Sequence, residues 1–140
     1  MNIHGRCHCG QISFTAWVDP QRVVACHCSD CQTFSGGPFR ASVAAAAEQV
    51  VMTGVPTEYV KLADSGNARI QGFCGTCGTH VYATAQQDRS TLGLRLGCVA
   101  ERAQLPPVAQ VWGQSAMPWL GELADLPCRL QGPSSALRGD

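Results

Sequence analysis

Seven of the chain's nine cysteines fall in three short groups, and their spacing suggests metal chemistry. Cys26-His27-Cys28-Ser29-Asp30-Cys31 has the spacing C-x-C-x-x-C, and a tight loop closing gaps of one and two residues can turn three thiolates toward one point. Cys7-His8-Cys9 and Cys74-Gly75-Thr76-Cys77 supply two thiols each, which together make one tetrahedron. Structural zinc takes four protein ligands and closes, whereas catalytic zinc keeps three and leaves a position for water or substrate. The seven cysteines therefore divide into a closed site, Cys7, Cys9, Cys74 and Cys77, and an open one, Cys26, Cys28 and Cys31. Two zinc ions per chain are expected, and the open one is where chemistry is expected.

An ion held by three thiolates leaves the site with a formal charge of about −1, which makes it a weak activator of water. It can instead take a substrate thiol as fourth ligand and hold it as thiolate at neutral pH. Such a thiolate adds to an aldehyde carbon, and the reverse reaction cleaves a carbon–sulfur bond. Both directions belong to a carbon–sulfur lyase acting on a small thiol. The competing reading is a non-enzymatic zinc-stabilised binding module, in which a further protein ligand such as Cys98, His27 or His80 closes the second site.

Disulfides are the other use of so many cysteines, but the count is odd, the spacings are short, and the first ten residues are polar and carry no apolar signal segment. A redox C-x-x-C at Cys74 and Cys77 would be followed by a helix, whereas Gly78-Thr79-His80-Val81-Tyr82-Ala83 reads as a turn feeding a strand. The expectation is a reduced, cytoplasmic protein. Ten basic residues balance ten acidic ones with no basic run, which argues against nucleic acid and an anionic membrane as partners, and no apolar run is long enough to span a bilayer. A homodimer is compatible with the sequence, which neither requires nor excludes it.

The elements that must carry these ligands read as short strands. Gln11 to Val18 alternates Ile12, Phe14 and Ala16 with polar neighbours, the period of a half-buried strand, and Ile3 to Cys7 leads into the first cysteine turn. Val23-Val24-Ala25 delivers the chain into the triad. Ser29 is placed to cap a short helical turn that Ser35-Gly36-Gly37-Pro38 stops. Further strands are expected over 39–44, 49–53, 58–62, 68–73, 79–85 and 91–98, with a hairpin turn at Asp64-Ser65-Gly66-Asn67. Val111-Trp112 and Pro118-Trp119 offer isolated aromatic anchors. The architecture is mainly β, in short antiparallel sheets stapled by metal: a single domain over 1–125, followed by a loosely ordered tail over 126–140.

Other candidates carry milder readings. His27, between two ligands, points away from the metal and is placed facing solvent or behind the ligands. His8 and His80 are strand-surface or supporting residues, and Ser29 and Asp30 serve turn hydrogen bonds. Arg40 and Arg69 are candidates for the carboxylates of a glutathione-like substrate, against the usual solvated role. Cys98 reads as a small buried apolar residue and Cys128 as a tail cysteine.

The order C-x-C, C-x-C-x-x-C, C-x-x-C-G, with Phe73-Cys74-Gly75-Thr76-Cys77-Gly78 and the closing segment from Val111-Trp112 to Pro118-Trp119, resembles the glutathione-dependent formaldehyde-activating enzyme family, also called the GFA or centromere protein V family. The resemblance runs from about Gly5 to Trp119. It implies an Mss4-like β-tent, a structural zinc on Cys7, Cys9, Cys74 and Cys77, a catalytic zinc on Cys26, Cys28 and Cys31, and activity of the S-(hydroxymethyl)glutathione synthase type on glutathione and formaldehyde. The chain departs from the family at Gln110, where several members carry histidine.

Overall fold

Alternation of apolar and polar residues at the start of the chain builds the first layer. The computed structural model describes residues 1–139 and contains strands β1 (Asn2–Arg6), β2 (Ser13–Trp17), β3 (Val23–Cys26), β4 (Arg40–Ala46), β5 (Val50–Thr53), β6 (Thr57–Leu62), β7 (Ala68–Phe73), β8 (His80–Ala85), β9 (Thr91–Arg95) and β10 (Ala109–Val111). One short helix, α1 (Ser29–Ser35), follows β3. In the β1–β2 antiparallel pair, Ile3 lies opposite Ala16 and Gly5 opposite Phe14, and all four are buried while His4 and Thr15 between them are exposed. β5 joins the free side of β2 to complete a three-stranded sheet.

A second sheet runs in the order β10-β3-β4-β9-β8-β7-β6. Its central strands carry the fully buried Val43, Ile70, Val81 and Leu94, which meet Ile3, Ile12, Phe14 and Val18 of the smaller layer in one core. Each such side chain contributes about 1.5–3 kcal/mol on leaving water. The protein is thus mainly β, in two packed sheets, as the alternating runs imply.

Three features differ from the sequence reading. The pairing is not antiparallel throughout: β10 lies parallel to β3, with Val111 beside Cys26. That strand has no sequence signal, because three exposed residues carry no alternation. The leucine-rich run does not stay extended through Cys98; Leu96–Cys98 is a turn of 3-10 helix, which redirects the chain so that Val99 bridges to Gly5 of the other sheet. Trp112 and Trp119 are not core anchors but are about half exposed. Trp112 also adopts a left-handed backbone (φ 58°), an unusual cost for a bulky side chain. The tail beyond Pro127 carries a local bridge between Arg129 and Leu137.

Candidate metal centres

The closed cluster is built by two similar turns. After β1, Cys7 accepts the Gly10 N–H through its carbonyl (3.1 Å) and the Ile12 N–H through its sulfur (3.2 Å), and Gly10 takes the left-handed conformation (φ 85°) that closes the turn. Between β7 and β8, the Gly78 N–H returns to the Cys74 carbonyl (2.8 Å), with Gly78 left-handed in the same way. Thr79 Oγ1 accepts the His8 N–H (3.0 Å) and Thr76 donates to Gln11 (2.7 Å), so polar bonds hold the two turns face to face.

Cys7, Cys9, Cys74 and Cys77 bring their sulfurs within 4.8 Å of one another. Cys7 and Cys9 are separated by 3.6 Å and Cys9 and Cys74 by 3.7 Å. Sulfurs bound about 2.3 Å from a tetrahedral zinc lie about 3.8 Å apart, so the thiols already stand at the edge length of that polyhedron. Thr79's hydroxyl, 3.2 Å from Cys77 Sγ, is the main reason that this thiol is held down at about 5. At Cys9 the Gln11 N–H favours the thiolate, but burial and the neighbouring sulfurs outweigh it and push the thiol up to about 11. The other cysteines, Cys98 and Cys128, stand outside both clusters, and all nine are free thiols.

Cys26, Cys28 and Cys31 form the second cluster, again with sulfurs within 4.8 Å. Cys26 ends β3, Cys31 sits in the first turn of α1, and Cys28 itself caps that helix, its sulfur accepting the Cys31 N–H at 3.3 Å. The cap is therefore a candidate ligand and not Ser29. Burial pushes the Cys31 thiol up to about 12 against the pull of Arg40. Burial also opposes ionisation of Cys28, but the Cys31 N–H, the neighbouring thiols and Arg40 together lower it. Among the described residues no histidine, carboxylate or further cysteine joins this cluster.

β10 and its sequel close over the triad. The His27 N–H donates to Val111 (3.0 Å), and Gln32 Nε2 donates to both His27 and Ser115 carbonyls (2.9 Å each). His27 Nε2 meets Gln110 Oε1 at 2.8 Å; an amide oxygen only accepts, so Nε2 carries the hydrogen and Nδ1 is left as a buried acceptor without a partner. His27 is therefore buried, not facing solvent, and its ring leans on Phe39. Gln110 supplies the contact in question, so the departure from the family pattern falls on a structural bond behind the triad. His80 lies between the Phe34 and Phe73 rings, and burial first, then Arg95 and Arg40, lowers its proton affinity.

The triad opens into a cavity of about 730 Å³. Arg40, Lys61, Arg69 and Arg95 line it, as do Asp30 and Asp64. Asp30 pairs with Lys61, which ties α1 to β6 and gives this residue a larger role than a turn bond. Arg40 and Arg69, the sequence candidates for substrate contact, both face this cavity. Arg95, Lys61 and Gln71 line it without any local signal in the sequence, and Trp112, read there only as an aromatic anchor, joins them. Arg95 sits between Leu94 and Leu96, an alternation that reads as an outward-facing strand residue, yet it is 7% exposed. Burial and the Arg40 guanidinium weaken its hold on the charge, although an arginine keeps its proton at neutral pH.

A β protein with one four-thiol and one three-thiol cluster, the second at the mouth of a cavity, has two cysteine groups that could hold metal ions. The chain belongs to the glutathione-dependent formaldehyde-activating enzyme family, whose profile matches residues 2–115. The match contains all seven clustered cysteines and stops short of Trp119. Among solved structures, a protein of Rhodobacter sphaeroides from a structural-genomics programme shares the fold, with a TM-score of 0.60 at 18% identity over 76% of this chain and 98% of the other. A search of curated proteins gave no match. Among the described residues no helix is long and apolar enough to cross a membrane.

Proposed function

We propose that the protein is a zinc-dependent carbon–sulfur lyase joining a small thiol to an aldehyde, and releasing it in reverse. One observation carries the reading: a three-cysteine cluster with no fourth protein donor among the described residues opens into a cavity large enough for a small ligand. Cys7, Cys9, Cys74 and Cys77 would hold a structural zinc, and Cys26, Cys28 and Cys31 a catalytic one, two ions per chain. When bound, the second ion supplies the charge that keeps a substrate thiol deprotonated near neutral pH.

The chain's residues do the rest. The helix cap at Cys28 and the short run from the end of β3 hold three sulfurs on one side, so a fourth sulfur enters from the cavity. The Gln110–His27 bond and the Gln32 bonds brace the backbone that carries Cys26 and Cys28. In the addition, substrate sulfur bonds to the aldehyde carbon, the carbonyl π electrons move to oxygen, and that oxygen takes up the proton the thiol released. The product is a hydroxymethyl thioether when the aldehyde is formaldehyde. Glutathione and formaldehyde are the reactants the family's description names. A cytosolic setting suits thiols that must remain reduced.

The binding-module reading needs a donor to close the triad, and Cys98, His27 and His80 all lie outside the cluster. A cobalt-substituted protein tests the choice. Adding a small thiol is expected to strengthen sulfur-to-metal charge-transfer absorption and to release about one proton per thiol bound, while its S-methyl analogue does neither. A spectrum indifferent to every thiol, in protein carrying metal at the triad, would overturn the lyase reading.

A further inference from the structure

Two guanidiniums in the cavity have no carboxylate to answer them. Arg40 Nη1 and Arg95 Nη2 both donate to one neutral acceptor, Gln71 Oε1, at 2.9 and 3.2 Å, and Arg95 Nη1 donates to Ser42 Oγ at 2.6 Å. The Nε atom of each is buried without a partner. Among the described residues the ion pairs are His4–Glu101, Lys61–Asp30 and Arg89–Glu58, so neither arginine takes part in one. Phe34 stacks beneath Arg40, which holds its guanidinium in place but does not neutralise it.

Burying charge without a counter-charge is costly, and bringing two like charges onto one amide oxygen adds to the cost. Register puts them together: Arg40 begins β4, Arg95 ends β9 opposite Ser42, and Gln71 reaches across from β7. The triad's own charge of about −1 offsets part of the pair when metal is bound. The remaining cavity charges do not complete the balance, because Asp30 is already engaged by Lys61, and the single negative charge of Asp64, on an exposed turn, is matched in number by Arg69 in the same cavity. A positive excess is left beside three sulfurs.

We infer that Arg40 and Arg95, held in a fork by Gln71 and Ser42, form an anion subsite that selects thiols carrying a carboxylate. The inference deepens the reading of the triad as a thiol site and rests on it for where the sulfur goes. The guanidinium pair takes the carboxylate, and the thiol of the same molecule enters the triad. Arg40 and Arg95 are then determinants of specificity: they choose among thiols by charge, whatever the rest of the molecule contains. Trp112, which lines the same cavity on its left-handed backbone, stands where it can report occupancy.

Three thiols of nearly equal size separate the possibilities in the cobalt-substituted protein: 3-mercaptopropionate, 2-mercaptoethanol and cysteamine, which are anionic, neutral and cationic. The charge-transfer band should titrate at least about tenfold tighter with the anionic thiol than with the neutral one, and weakest with the cationic one. In Arg40→Gln, whose side chain is half-buried and whose loss spares the core, that preference should shrink to about threefold or less with the metal content unchanged. A second arm does not depend on sulfur binding: 3-(methylthio)propionate and sulfate should change tryptophan emission saturably in the wild-type protein, and neither in Arg40→Gln nor in Trp112→Phe.

Equal affinity for all three thiols, with thiol binding intact, would overturn the subsite and leave the thiol site standing. Saturable anion binding that depends on Arg40, without any effect of thiols on the band, would keep the subsite and sink the thiol reading. Failure of both arms would overturn both. Arg95→Lys, which keeps the charge and loses the fork, should fall between wild type and Arg40→Gln in the thiol series.

Discussion

Replacing Cys77 and replacing Cys31 by serine remove the same sulfur atom, yet the two substitutions are expected to behave differently. Cys77 belongs to a cluster that joins the turn after β1 to the turn before β8, segments about seventy residues apart in the chain. A ligand lost there removes much of a metal-binding free energy of order ~10 kcal/mol that the unfolded chain does not recover. Cys77→Ser should therefore be insoluble or melt far below the wild type. Cys31 lies within six residues of its partners, on a helix that retains its cap from Cys28. Cys31→Ser should keep near-wild-type circular dichroism and one bound metal while losing thiol-dependent activity. Equal melting temperatures for Cys77→Ser and wild type would show that the four-thiol cluster does not hold the fold together.

Strands β7 and β8 show how packing of whole elements is decided by small residues. Gly72 lies opposite Tyr82, and a Cβ at 72 would come within 2.3 Å of the Tyr82 ring. Gly5 and Phe14 repeat the arrangement in the smaller sheet, at 2.1 Å. In each pair the aromatic ring covers the glycine of the neighbouring strand, which lets the strands approach where the sheets meet the core. The Tyr82 ring cannot swing aside freely, because its hydroxyl donates to Glu58 on β6 at 2.6 Å, and Arg89 pairs with the same carboxylate. Gly72→Val should therefore destabilise the metal-loaded protein by on the order of 1–3 kcal/mol, read from denaturant midpoints at an unchanged slope. A variant as stable as wild type would mean that the β7–β8 contact has room the structure does not show.

Across the whole molecule, the proposed reading has one cysteine cluster holding the layers together and the other serving the cavity. If both hold zinc, stoichiometry should be two per chain, and chelation should remove the triad's ion first, since three ligands facing a cavity hold less firmly than four in a closed site. The loss of the first equivalent should abolish the thiol response with little change in melting, and the loss of the second should unfold the protein. Simultaneous loss and unfolding would argue against that division. Cysteine spacing was readable without coordinates because a gap of one or two residues fixes the reach of neighbouring sulfurs locally, and strand periodicity was readable because each face repeats every second residue. For the same reason the turns at Gly10 and Gly78 and the helix stop at Gly36 lie where the sequence indicates. The sequence by itself thus determined which cysteines gather into the two clusters and a mainly β architecture. It did not reveal the parallel strand at Ala109–Val111, which exists only because β3 offers an edge, nor the burial of His27 beneath that strand. It also could not reveal that Arg40, Arg95 and Gln71, far apart in the chain, meet beside the triad, because that meeting depends on the register of three strands and not on any local pattern. Short-range spacing is a property of the chain, whereas convergence of distant charges is set by how the sheet is ordered, and only the tertiary structure decided it.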